Sequence, residues 1–561
     1  MSWIDSHLLS IVVFLPLLGA LVAALLPRSE GSQHKGIALF TTLTTFALSL
    51  MLWTGFKPGS GWQFEQKADW APSLGFSYHV GLDGVALLLF MLTTFLGPIV
   101  ILSAWRFTKE REKEFFLALL VLQTAMMGTL AALDLVLFYV FWEAMLIPMY
   151  LLIGIWGSEK RIYAAVKFFL FTFVGSVLML LAIFYVWSQS GVGAARTFDV
   201  PTLLAQANFT PQVQFWLFLA FALAFAIKVP VWPLHTWLPD AHTEAPAAGS
   251  VILAGVMLKL GTFGFIRYAM PLFPQAAHAA APFIAALGVV GIIYGSLMCM
   301  AQTDLKRLIA YSSVAHLGFV MLGLAALTPE ATSGAVLQMV NHGISTGALF
   351  LTIGYLYERT HTRELSAYGG LAKIAPRFAI FFLVITLSSI GLPGTNGFVG
   401  EFLILIGTFT ANLGVSVLGG ISNATLLSAL AATGVILGAV YMLTMYQRVF
   451  LGPVVHEKNR GIADLNAREI ASLLPLLAAI VILGVYPMPL LDAVKAPVDE
   501  VIQRVTAPAQ APRGHETHPQ FQRHPSDGSP RLGAPDAQQP RVMPRVLVPN
   551  RAPQAEQPAQ Q

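Results

Sequence analysis

Charge is what this sequence has least of. Only 11% of its 561 residues are Asp, Glu, Lys or Arg, against about a quarter in an ordinary soluble domain, and 56% are hydrophobic. Apolar runs of roughly 18 residues or more recur along most of the length, and a soluble all-α protein has too little interior to bury them all. Cysteine is nearly absent too. The single Cys299 lies inside an apolar run, so this chain alone assembles neither a disulfide framework nor a thiolate-held iron–sulfur cluster, and Cys299 reads as core. Basic residues fall in short connections instead of gathering on one face, which excludes nucleic acid as a partner; a formal net charge of +4 adds no preference. No Lys or Arg precedes the first run, "LLSIVVFLPLLGALVAALLP", whereas Asp5 does. That run is expected to be a membrane span, not a signal peptide.

What is present is an array of apolar runs long enough to cross roughly 30 Å of hydrocarbon. About fourteen are expected, near 8–27, 36–55, 82–105, 114–132, 134–156, 162–188, 211–233, 245–271, 280–302, 305–327, 331–357, 377–410, 425–450 and 467–490. The expected fold is an all-α polytopic membrane protein. Arg28, Lys35, Arg106, Lys109, Arg111, Lys113, Lys160, Arg161, Lys306, Arg307, Arg359, Arg363, Lys373, Lys458 and Arg460 all follow odd-numbered runs. Loops after even-numbered runs hold few such residues, among them Lys57, Lys67 and Arg196. By the positive-inside rule the odd-to-even loops face the cytoplasm and both termini lie on the opposite side. From about residue 505 the composition turns to Pro, Gln, Arg and Ala without apolar periodicity, which predicts a disordered tail. Its His515, His518 and His524 are too loosely spaced to read as a metal tract.

Against this background a few ionisable residues sit well inside the runs: Glu143 in the fifth, Lys228 in the seventh, Lys259 in the eighth, His316 in the tenth, His342 in the eleventh and Glu401 in the twelfth. An ionised side chain at the centre of a bilayer costs roughly 2.5–3.5 kcal/mol on insertion scales. Any one of them has a plain structural reading, as a snorkelling lysine, a capped histidine or an ion pair between helices. Six together, several in mid-span and of alternating sign, point to function.

Two runs are interrupted beside these charges. In "FALAFAIKVPVWPLHTWLPDAH", Pro230 and Pro233 crowd the carbonyls of Ala226 and Val229. In "LSSIGLPGTNGFVGEF", Pro393 and four glycines precede Glu401. No Lys-Ser/Thr follows those glycines, so they are not a phosphate loop. Freed backbone groups survive in hydrocarbon only where they line a hydrated cavity or are covered by protein, so the breaks mark an interior polar path. They lie five spans apart, an odd number, so if spans 4–8 and 9–13 are equivalent units with broken helices 7 and 12, the second is inverted relative to the first. The expected divisions are 1–110, 111–272, 273–455, 456–504 and the tail 505–561. Ser312 and Ser313 share a helix face with His316, as Ser345 and Thr346 do with His342. Such stripes hold water or glue helices.

Moving protons through apolar protein needs groups that gain and lose a proton near neutral pH. Burial disfavours the charged form of any acid or base, and an opposite charge nearby restores it. A lysine whose glutamate partner can approach or withdraw therefore has a switchable proton affinity. Glu143 with Lys228 fits such a switch, Lys259, His316 and His342 fit intermediate stations, and Glu401 fits the terminal group.

"FWEAMLIPMYLLIG", "KVPVWPLHTWLPDAHTEAPAAGSVILAGVMLKLG", "KRLIAYSSVAHLGFV" and "GLPGTNGFVGEFLIL" resemble the antiporter-like membrane subunits of respiratory complex I, the NADH:quinone oxidoreductase. The likeness covers roughly residues 1–500. It implies fourteen spans, two inverted five-helix repeats and no redox cofactor in this subunit, with NADH, FMN, iron–sulfur clusters and quinone held by partner subunits. It also implies L-like and N-like neighbours, contact with lipids, and residence in the bacterial inner membrane with periplasmic termini. The family's helix-five glutamate matches Glu143, its lysines of helices seven and eight match Lys228 and Lys259, its histidines of helices ten and eleven match His316 and His342, and its helix-twelve terminal group matches Glu401. Glutamate at that last position is typical of subunit M, whereas subunits L and N and the related sodium/proton antiporter chains generally carry lysine. The alternatives are a subunit of a multisubunit cation/proton antiporter and a purely structural scaffold.

Overall fold

The computed structural model describes every residue except 1–2, 29–30, 60, 108–109, 194–195, 207–208, 415, 419–420 and 508–561. The expected disordered tail, with His515, His518 and His524, thus lies almost wholly outside the described residues. Among the described residues thirteen helices are long and apolar enough to cross a membrane. Two shorter apolar helices, Pro376–Ser389 and Asn396–Phe409, are the halves of the twelfth run. All fourteen runs are therefore helical, in the all-α polytopic arrangement expected.

Apolar sequence alone does not set where these helices begin, because the first N–H groups of each need acceptors that hydrocarbon cannot supply. Short polar residues provide them. Asp83 accepts from Ala86 at the start of span 3 (Gly84–Ser103), Asp134 from Val136 and Leu137 at span 5, and Asp304 from Lys306 and Arg307 at span 10 (Leu305–Ala325). Asn466 and Glu469 form a reciprocal capping box on span 14 (Ala467–Val485).

The helices are less regular than the apolar runs. Span 5 is split at Met145 into Leu135–Ala144 and Leu146–Trp156, because Pro148 has no N–H for the Ala144 carbonyl and crowds it. Span 7 stops at Lys228 (Pro211–Lys228), the Val231 N–H reaches back to the Ala226 carbonyl at 2.8 Å, and a short helix, Trp237–Glu244, follows. Trp237 Nε1 donates to the Ile227 carbonyl at 2.9 Å, satisfying an acceptor the break leaves free. Span 12 opens between Ser389 and Asn396, where Gly391 has φ +71, a left-handed conformation that a side chain disfavours. Span 8 (Ala247–Leu272) is wound as π-helix at Leu253–Met257 and Phe265–Ala269, on either side of Lys259; nothing in the run's hydropathy signalled this.

Further elements lie outside the expected array, among them a hairpin and an amphipathic helix. The hairpin of Gln63–Ala71 and Phe76–Leu82 joins spans 2 and 3. Span 14 ends at Val485, not near residue 490, and an amphipathic helix, Met488–Thr506, follows. It buries Ala493, Val494, Pro497, Val498 and Ile502 along one side. It presses so closely on span 3 that a Cβ on Gly84 would overlap the Ala493 carbonyl.

The hairpin is fastened to the connections of spans 4–5 and 6–7. His79 bridges Asp199 (2.6 Å) and Glu65 (2.7 Å), Lys67 meets Asp199 at 2.7 Å, and the Leu133 N–H donates to the His79 carbonyl at 2.8 Å. Burial alone would raise the Asp199 carboxyl. Hydrogen bonds from His79, Lys67 and Thr202 outweigh it and hold that group well below the usual carboxylate range.

Candidate functional site

All six residues singled out by sequence lie in the helical body, and all but Glu143 are buried. Lys259 is wholly inaccessible, Lys228 is 1% exposed, and Glu143 is half-buried. The structure sorts them into two groups.

The first group is Glu143 and Lys228. Glu143 is the last residue but one of the first half of span 5, just before the Met145 interruption, and Lys228 is the last helical residue before the span 7 break. Each therefore sits where a helix yields. Among the described residues no ion pair or hydrogen bond joins them, and Glu143 Oε1 and Lys228 Nζ both lack a hydrogen-bond partner. The lysine ammonium lies instead 5.0 Å from the Trp142 ring centroid and 5.9 Å from that of Phe168, where the ring faces supply partial compensation for a cation. The expected pair is thus present in its separated arrangement.

The second group is joined by polar contacts at its two ends and by a ring contact in the middle, where His342 Nε2 has no hydrogen-bond partner among the described residues. Lys259 Nζ donates to the Ala254 carbonyl, which the adjoining π-turn leaves available, and lies 2.5 Å from His342 Nδ1. The His342 and His316 rings have centroids 5.7 Å apart. His316 Nδ1 meets Glu401 Oε1 at 3.0 Å. Four residues from spans 8, 11, 10 and 12 thereby form one series through the interior.

Polar residues that sequence reasoning passed over surround this series. Gln338 Nε2 donates to Glu401 Oε1 at 3.0 Å. Asn341 and Asn396 clasp reciprocally, each side-chain amide donating to the other's backbone carbonyl, at 2.7 and 3.3 Å. Ser388 donates to Asn396 Oδ1 at 2.6 Å and meets Ser345 at the same distance. These bonds tie the broken twelfth helix to span 11 (Pro329–Thr360). A signal existed: Gln338, Asn341, His342 and Ser345 recur at the three- and four-residue spacing of one helix face. The Ser312 and Ser313 hydroxyls, expected to accompany His316, bond instead to the Ile309 carbonyl of their own helix. His242, on the helix after the span 7 break, was also missed. It is fully buried, stacks on Phe350 with centroids 4.6 Å apart, and has no hydrogen-bond partner at either ring nitrogen among the described residues.

Beside that same helix lies a cavity of about 370 Å³ lined by Glu159, Lys160, Asp240, Glu244, Arg307 and Arg363 among others. Some of its charges are paired: Asp240 meets Arg307 at 3.3 Å and Lys167, just outside the lining, at 2.7 Å, and Arg363 meets Asp304 at 3.0 Å. Cys299 is buried, with its thiol 3.3 Å from the Leu308 carbonyl, as expected of a core cysteine.

A broken-helix array with this buried series has relatives. The family described as NADH:quinone oxidoreductase/Mrp antiporter, TM, matches residues 132–428. The NADH-quinone oxidoreductase subunit M of Rhodobacter capsulatus is 47% identical over 513 residues, spanning 89% of this chain and 97% of that protein. The chain belongs to the subunit M family of NADH:quinone oxidoreductase. A chain of the respiratory complex I from Thermus thermophilus with bound NADH, 34% identical, superposes with a TM-score of 0.79 over 89% of this chain and 99% of that one. The Mrp complex from Dietzia sp. DQ12-45-1b contains a chain similar in fold, with TM-score 0.73 at 22% identity over 90% of this chain and 52% of that one. At that identity the likeness concerns fold alone, so subunit M relatives set the family assignment.

Proposed function

We propose that this chain translocates protons as a membrane subunit of NADH:quinone oxidoreductase, driven by quinone reduction elsewhere in the complex. NADH, FMN, iron–sulfur clusters and quinone belong to partner subunits. The observation that carries the reading is the row of neighbouring ionisable groups Lys259, His342, His316 and Glu401, since a scaffold of buried charges needs closed pairs but no such row; a water or a ring rotation would complete the step between the two histidines. The charged cavity beside Trp237–Glu244 is the cytoplasmic entrance, and protons reach Lys259 past the span 7 break. They leave at Glu401 toward the periplasm, the side on which both termini lie. Spans 4–8 and 9–13 act as the two inverted repeats, and the apolar flanks face lipid and L-like and N-like neighbours in the bacterial inner membrane.

Glu143 and Lys228 form the switch. Bringing two unit charges to about 4 Å at an effective dielectric constant near 20 is worth about 4 kcal/mol, roughly a thousandfold in an equilibrium constant. Closing and opening the pair therefore changes where a proton rests. The deciding experiment is Glu143→Gln in the assembled complex, with quinone reduction and proton uptake measured together in inverted membrane vesicles. Normal assembly with both activities reduced severalfold is expected; parental pumping at normal assembly would reduce Glu143 to helix glue.

A further inference from the structure

The two oxygens of Glu401 stand in different surroundings. Oε1 faces both His316 Nδ1 and Gln338 Nε2, each at 3.0 Å. Oε2 points the other way, toward the turn that breaks span 12: a Cβ built on Gly391 would stand only 3.0 Å from it. The turn lies between the two halves of span 12, where Leu392 is 42% exposed on this chain and Pro393 and Gly394 are exposed as well; at that depth its freed backbone groups need a hydrated cavity or covering protein. One carboxyl thus joins the buried series on one side and the turn on the other.

Gln338 is in an arrangement that packing alone does not account for. It is 2% exposed, and its own Oε1 has no hydrogen-bond partner among the described residues. An unpaired buried carbonyl costs roughly 1–3 kcal/mol. The reverse amide orientation would set two oxygens against each other, so the amide N–H is committed to Glu401.

We infer that Gln338 is a positioning residue that holds Glu401 with Oε1 turned to His316 to receive a proton, and that release occurs on the opposite side, through the Gly391–Gly394 turn. The inference rests on the proton-relay reading above. In the step itself the His316 Nδ1–H bond breaks as a Glu401 Oε1–H bond forms. A half-turn about the Cγ–Cδ bond carries that proton to the Gly391 side, where it passes to water and leaves the carboxylate. The Gln338 amide then draws the emptied carboxylate back toward His316. Glycine at 391 serves both needs, since it accepts φ +71 and leaves room for the swing.

The test uses the assembled complex in inverted vesicles, with infrared difference spectra of the carboxyl stretch. The Glu401 band is the one lost in Glu401→Gln. In Gln338→Met, close in size but without the donor, that band is expected at higher frequency because its carbonyl has lost an N–H partner, and pumping is expected to fall severalfold at normal assembly. An unmoved band with parental pumping overturns the role of Gln338. For the release side, Leu392→Cys is treated with a charged, membrane-impermeant thiol reagent. Modification that stops pumping supports release at the turn, and unimpaired pumping or absence of modification overturns it. Parental pumping in Glu401→Gln would instead sink the relay reading itself, so the two failures are distinguishable.

Discussion

The two halves of the buried path differ in how their charges are answered. Around Glu143 and Lys228 the helices break, the charges stand apart, and an ammonium rests on aromatic faces. Around Lys259, His342, His316 and Glu401 the helices are clasped and the ionisable groups run on from one to the next. A separated pair inside a membrane stores electrostatic energy, because its closure is favourable and the aromatic faces around the lysine compensate its charge only in part. Groups already in contact store less, because most of the attraction between them is already realised. On the relay proposed above, the first region receives the driving force and the second transmits the proton.

The strongest way to break the comparison is to cut the second series. Lys259→Met leaves the His342 Nδ1 without its partner, and coupled quinone reduction should fall about tenfold or more, at least about 1.4 kcal/mol in activation free energy, measured as NADH-driven turnover in membranes. Next is Lys228→Arg, which preserves the charge at the open pair but replaces an ammonium with a guanidinium that does not deprotonate in proteins. Pumping should fall severalfold while assembly holds; parental pumping would show that only the charge matters there.

A weaker perturbation acts from outside the spans. Asp199→Asn removes the negative charge between His79 and Lys67, a loss of about 1–3 kcal/mol, seen as a lower thermal midpoint at neutral pH. The folded Asp199 carboxyl is depressed, so its stabilisation is complete above the unfolded value of about 3.9 and is lost as pH falls through the lower folded value. The difference between parent and variant should therefore persist to about pH 4 and shrink only in stronger acid. The smallest effect is expected for Ser312→Ala. Its buried hydroxyl serves its own helix carbonyl and the Tyr441 hydroxyl, so stability should fall by about 1 kcal/mol and pumping should not change.

Much of this molecule is legible without coordinates because a bilayer imposes a simple rule: a span must be long, apolar and helical, and whatever departs from that is conspicuous. The fourteen runs, the interruptions at Pro230, Pro233 and Pro393, and the six ionisable residues all follow from it. The Gln63–Leu82 hairpin and the Met488–Thr506 helix escaped because they lie at or beyond the ends of apolar runs, where that rule does not apply. The π-turns flanking Lys259 escaped because an extra residue per turn leaves hydropathy unchanged.

Order along the chain determined which residues are buried at a cost and where the helices must yield. It did not determine which of those residues meet. Glu143 and Lys228 lie 85 positions apart and do not touch, whereas His316 and Glu401, also 85 apart, do. Sequence separation is the same in both; what differs is the packing of spans around them, with Gln338 and the Asn341–Asn396 clasp on one side and the faces of Trp142 and Phe168 on the other. Only tertiary structure decides that, because a short-range hydrogen bond depends on fractions of an ångström that several helices set together.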